Sequence, residues 1–111
     1  MKYYERALAF CDLNDPQAIG GALADLGVAH AELGEHDEAI ALFRRSLGFR
    51  LEAIDKAKTL WNMSLSLDEL GQRGNAIAHA KEALPIFLES KSPEAAMVQE
   101  QLEAWRKNCG S

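Results

Sequence analysis

Three histidines, His30, His36 and His79, two cysteines, Cys11 and Cys109, and several close-set acids are the residues of this chain whose types could do chemistry. The densest group is Glu32, Glu35, His36, Asp37 and Glu38, which straddles a turn signal and could attract a cation. Its spacing matches no recognised metal-ligand pattern. Acids are also favoured ahead of a helix by its dipole, with or without an ion. A solvated acidic turn is therefore the expectation. Neither cysteine sits in a CxxC or other ligand spacing, and Cys11 has no histidine nearby in sequence to activate it. Two reduced thiols in a cytoplasmic protein are expected, since a bridge would need the first and last helices to touch. The chain contains no GxSxG, HExxH, P-loop or dinucleotide-binding fingerprint. The residues thus predict no catalytic group, no metal and no cofactor.

The whole-chain balance narrows the partner class. The 111 residues are 48% hydrophobic and 26% charged, with a net charge of −5. That suits one soluble domain with a modest core, not a disordered chain. An acidic surface repels phosphate backbones, so nucleic acid is not an expected partner, while a basic or apolar peptide is compatible. No apolar run approaches the roughly 20 residues that span a bilayer, so no membrane partner is expected either. The opening MKYYERALAF has an early acid and no long apolar stretch, and reads as part of the fold, not as a signal peptide. Abundant Ala and Leu with few β-branched residues lean towards helix.

These residues must be positioned by repeated helical hairpins. A shift of 37 places Gly21–Leu47 on Lys58–Leu84, with Leu23 on Leu60, Leu26 on Met63, Gly27 on Ser64, Gly34 on Gly71, Ala39 on Ala76 and Leu47 on Leu84. A partial copy precedes them: Tyr4, Ala7 and Leu8 match Phe43, Ser46 and Leu47 at a shift of 39. Ile19, Leu23, Leu26, His30 and Leu33 form a helical stripe, and Leu60, Met63, Leu67 and Leu70 repeat it. His30 thus stands at a core position and needs a hydrogen-bond partner for its polar tip. His36 and His79 are expected at the surface. Gly34 and Gly71 are placed to end helices in the left-handed conformation. Gly27, Ser64, Ala39 and Ala76 are small where two helices must cross closely.

Asp15-Pro16 and Ser92-Pro93-Glu94 read as helix starts, and Asp55 is the candidate cap of the helix containing Trp61. Pro85, inside a helical stripe, is expected to bend or interrupt its helix. The last helix carries Ala95, Val98, Leu102 and Trp105 along one side.

Leu26–Gly27, the turn glycine Gly34, the packing alanine Ala39 and the aromatic Phe43 together resemble the tetratricopeptide-repeat signature. The resemblance covers roughly residues 4 to 90. There are departures: Leu23 and Leu60 stand at the usual tryptophan position, His30 and Leu67 at the usual tyrosine, Ala80 at the second-helix aromatic, and the period exceeds the usual value of about 34. The resemblance implies an all-α fold of antiparallel helix-turn-helix repeats, stacked as a short right-handed α-solenoid with a C-terminal capping helix. It divides a single domain, 1–111, into a partial repeat helix (1–14), a first full hairpin (16–51), a second (55–90) and the capping helix (92–109).

It also implies a non-enzymatic protein–protein interaction module, a scaffold or adaptor that binds a protein or peptide segment on the concave face formed by the first helices. By position that face would show Gly21, Ala24, Asp25, Val28 and Glu32 on one hairpin, and Lys58, Trp61, Asn62, Leu65, Asp68 and Glu69 on the next. Trp61 lies off the core stripe and either anchors a partner there or packs between hairpins. The lysine-rich clamp with which some family members hold a C-terminal carboxylate is missing, because Ala24 and Val28 occupy its positions. Arg44, Arg45, Arg50, Lys81 and Glu82 fall on the outer side, expected to be solvated. An alternative role is self-association, a homo-oligomer formed through an N-terminal end exposing Tyr3, Tyr4 and Leu8.

Overall fold

The computed structural model describes residues 16–49 and 52–109 of the chain. The leading segment 1–14, with Tyr3, Tyr4, Leu8, Cys11 and the cap Asp15, lies outside the described residues, as does Arg50.

Five helices follow one another: α1 Pro16–Glu32, α2 His36–Leu47, α3 Ala53–Glu69, α4 Arg73–Glu89 and α5 Glu94–Cys109. The fold is all-α, with no strand among the described residues. Each helix packs against the next, and α1 also reaches α3 across the hairpin partner between them. This is the stacking expected of helical repeats, in which each hairpin buries on its neighbour the face it cannot bury alone.

Three tight turns set the geometry. After α1 the Gly34 N–H donates to the Ala31 carbonyl at 3.0 Å and the Glu35 N–H to the His30 carbonyl at 2.9 Å. After α3, Gly71 donates to Asp68 at 3.0 Å and Gln72 to Leu67 at 2.8 Å. These paired bonds are the Schellman closure, which satisfies the carbonyls left free at a helix end. Gly34 and Gly71 sit at φ +81° and +80°, the conformation their placement predicts. The turn after α4 makes the same pair, Lys91 to Leu88 at 3.1 Å and Ser92 to Phe87 at 2.9 Å. Here a lysine, Lys91, holds φ 54°. That conformation costs a non-glycine residue about 1–2 kcal/mol.

The core runs through the stack. Ala39, Phe43, Ala76, Ala80, Ala83, Phe87 and Val98 are fully buried, with Leu60, Met63, Leu67 and Trp105 nearly so. Each large apolar side chain among them contributes about 1.5–3 kcal/mol relative to exposure. The crossing of α1 and α2 is close because Gly27 has no side chain: a Cβ there would stand 2.7 Å from Cε1 of Phe43. In the next hairpin the equivalent positions carry Ser64 and Ala80, both fully buried. A larger first-helix residue is thus matched by a smaller second-helix one. The buried Ser64 hydroxyl is satisfied by the Trp61 carbonyl at 2.6 Å.

Two local expectations need correction. Helix α4 runs uninterrupted through Pro85. Proline removes the N–H that would bond the Lys81 carbonyl, and both residues are exposed, so water can serve that carbonyl instead. Asp55 is not a cap. α3 starts two residues earlier, at Ala53, and the Asp55 carboxylate instead accepts from Gln17 Nε2 at 2.7 Å.

Candidate functional site

The first helices of the two hairpins, α1 and α3, frame two adjoining hollows. At one end a cavity of about 270 Å³ is lined by Gly20, Gly21, Ala24, Asp25 and Val28 of α1 and by Asp55, Lys58, Thr59 and Asn62 of α3, with Ser46 of α2. At the other a cavity of about 490 Å³ is lined by Val28, Ala31 and Glu32 of α1 and by Asn62, Leu65, Ser66, Asp68 and Glu69 of α3, with His36, Phe43 and Gln101 from neighbouring helices. Val28 and Asn62 line both, so the two hollows adjoin there.

Ten of the residues nominated from sequence line this groove: Gly21, Ala24, Asp25, Val28, Glu32, Lys58, Asn62, Leu65, Asp68 and Glu69. They do so because each set recurs at helical spacing, one side of α1 facing one side of α3. Trp61 is the exception. It is only 8% exposed, and its ring centroid lies 6.3 Å from that of Trp105, tilted by 48°. The indole packs against the closing helix, as edge-tilted aromatic pairs do, and is not an exposed anchor on the groove wall.

Side-chain bonds hold the two helices in register. Gln17 at the start of α1 donates to Asp55 and accepts from the Glu52 N–H at 2.9 Å. One amide therefore ties α1 to the first turn of α3. The Thr59 hydroxyl donates to the Asp55 carbonyl at 2.9 Å. The buried Ser46 hydroxyl donates to the Gly20 carbonyl at 2.6 Å, joining α2 to α1 beneath the groove. Such bonds preorganise a surface before anything binds it.

The groove is electrostatically lopsided. Asp25, Glu32, Asp55, Asp68 and Glu69 line it against a single ammonium, Lys58. Asp68 is paired with Arg73 Nε at 2.8 Å. Partial burial, and secondarily the facing Asp55 carboxylate, push the Asp25 carboxyl above its ordinary value of 3.8. Asp25 and Asp55 come from different helices, so the hollow between them is a place where negative charge is crowded.

Sequence reasoning missed Asp55, His36, Ser66 and Gln101 as lining residues. Asp55 had a usable signal: it lies one turn before Lys58, on the stripe that continues to Asn62 and Leu65. Gln101 had none, because its place depends on how α5 docks. His36 and His79 are half-buried, not surface groups. His36 Nδ1 lies 3.1 Å from Ser66 Oγ, and His79 Nδ1 is buried with no partner among the described residues. The acidic turn organises around His30 instead of His36, with His30 Nδ1 at 2.7 Å from Glu35 Oε1 and 3.1 Å from Glu38 Oε2. That supplies the partner the His30 tip requires. The ligand atoms of these three residues lie within 4.8 Å of one another, close enough for a cation, yet the mutual pairing already accounts for the arrangement.

A second hollow, of about 750 Å³, lies between α4 and α5, lined by Ile77, Lys81, Leu84, Gln99, Leu102, Glu103 and Arg106. No described helix is long and apolar enough to cross a membrane. No curated protein sequence matches the chain. Residues 20–54, which run from the first turns of α1 through α2 into α3, match the family model described as Tetratricopeptide repeat. Left-handed glycine turns, a glycine-on-phenylalanine helix crossing and hairpins stacked in series agree with that match and support a tetratricopeptide type of repeat.

Proposed function

We propose that this chain is a cytoplasmic scaffold or adaptor, as tetratricopeptide repeats are generally protein–protein interaction modules, and that its binding surface is the groove between α1 and α3. The groove takes a segment of a partner protein, laid along the two first helices from the Asp25–Lys58 end to the Glu32–Glu69 end. The observation that carries this reading is that two hollows lie end to end along α1 and α3, sharing Val28 and Asn62 in their walls. Together they offer apolar patches at Val28 and Leu65 with polar groups on either side, the composition that orients a bound chain. Binding onto a preformed surface is the mechanism of this reading.

The reading is tested by changing an exposed groove side chain that does not support the core. Leu65→Arg should weaken affinity for a partner by about 1–2 kcal/mol, measured by titration calorimetry. Glu82→Arg on α4, outside the groove, should leave it unchanged. Equal affinities for all variants with intact helical spectra would remove the groove from consideration.

A further inference from the structure

The charges lining the groove select among segments it could hold. On the proposed reading that the groove between α1 and α3 is the binding surface, we infer that its occupant is an extended, basic segment, one lysine or arginine of which seats between Asp25 and Asp55. Three observations support this chemistry. The two carboxylates line the smaller of the two hollows from different helices. Among the described residues neither has a cationic partner: Asp55 is held by the neutral Gln17 amide, and Lys58 makes no ion pair with either. Desolvation, and secondarily the Asp55 carboxylate, disfavour charge on Asp25 in the empty groove, and a cation placed beside both carboxylates favours their ionised forms.

Further along, Glu32 and Glu69 close the other end, each at the last residue of its helix. A second basic side chain of the same segment would meet them there, with apolar side chains between resting on Val28 and Leu65. A guanidinium suits the paired carboxylates best, because its fork can bond both. Among the described residues an acidic segment would meet more like than opposite charge along the groove, and such exclusion contributes to selectivity alongside attraction.

The experiment uses a short peptide alternating arginine and leucine, its citrulline–leucine counterpart, which keeps the shape without the charge, and its glutamate–leucine counterpart. Binding of each to the whole chain is measured by fluorescence anisotropy at low and at raised salt. The arginine peptide should bind, and weaken by about tenfold or more in Asp25→Asn/Asp55→Asn and on raising the salt. It should be unchanged in Glu82→Gln/Glu89→Gln, which removes two acids outside the groove. The citrulline peptide should bind correspondingly weakly, and the glutamate peptide not at all. If citrulline and arginine peptides bind alike and both are lost in Leu65→Arg, the groove stands and the charge selection falls. If Leu65→Arg changes no peptide's affinity, the groove reading falls with it. An arginine peptide that does not bind the unaltered chain overturns the inference directly.

Discussion

Asp25 shows how a single side chain reports on the site. Its carboxyl is raised above 3.8 by burial and by Asp55, so the folded chain takes up that proton more readily than the unfolded chain does. The ionised form is therefore a cost to the fold at neutral pH, and the cost disappears as the pH falls through the raised value. Asp25→Asn, which cannot ionise, should unfold at a higher urea concentration than the parent at neutral pH. The difference should close in the window just above 3.8 and be absent below it. A gain independent of pH would mean that charge is not its cause. Trp61 carries the opposite lesson. Its place off the core stripe was readable, but whether it faced a partner or another helix depended on Trp105, which lies 44 positions further along the chain and docks only when α5 closes the stack. Nothing local to Trp61 holds that information.

Among elements, the crossing of α1 on α2 is where sequence and packing agree most directly. Gly27 costs its helix about 1 kcal/mol in propensity, so its presence needs a reason, and the Phe43 ring supplies one. Gly27→Ala should lose about 1–2 kcal/mol of stability in urea unfolding, because overpacking outweighs the propensity gain. Gly74→Ala, where an added Cβ meets nothing within 4 Å, should be neutral or gain up to about 1 kcal/mol. A stabilised Gly27→Ala variant would contradict the close crossing. The turns were legible for the same kind of reason: Gly34 and Gly71 occupy a conformation that few other residues accept. The third turn escaped notice because Lys91 takes that conformation with a side chain attached, and only the pair of backbone bonds around it reveals the motif. Pro85 looked disruptive because the pattern signals a lost donor but not that the orphaned carbonyl stands on an exposed side of α4.

At the scale of the molecule, stacking turns two modest helix faces into one groove. Neither α1 nor α3 alone presents more than a stripe of side chains; side by side they line adjoining cavities of about 270 and 490 Å³. Ten lining residues could be nominated because helical spacing fixes which side chains share a face. Asp55 was overlooked because it was assigned to capping, and Gln101 because it arrives from a different element. The hollow between α4 and α5, at about 750 Å³, is larger than either of those cavities. The central claim is that the α1–α3 channel, not that hollow, holds the partner. The most direct measurement places a photo-cross-linking amino acid at Leu65 in one version of the chain and at Leu84 in another, and compares their covalent capture of the same bound basic peptide. Strong capture from Leu65 and little from Leu84 is the expected result; capture from Leu84 alone would contradict the account.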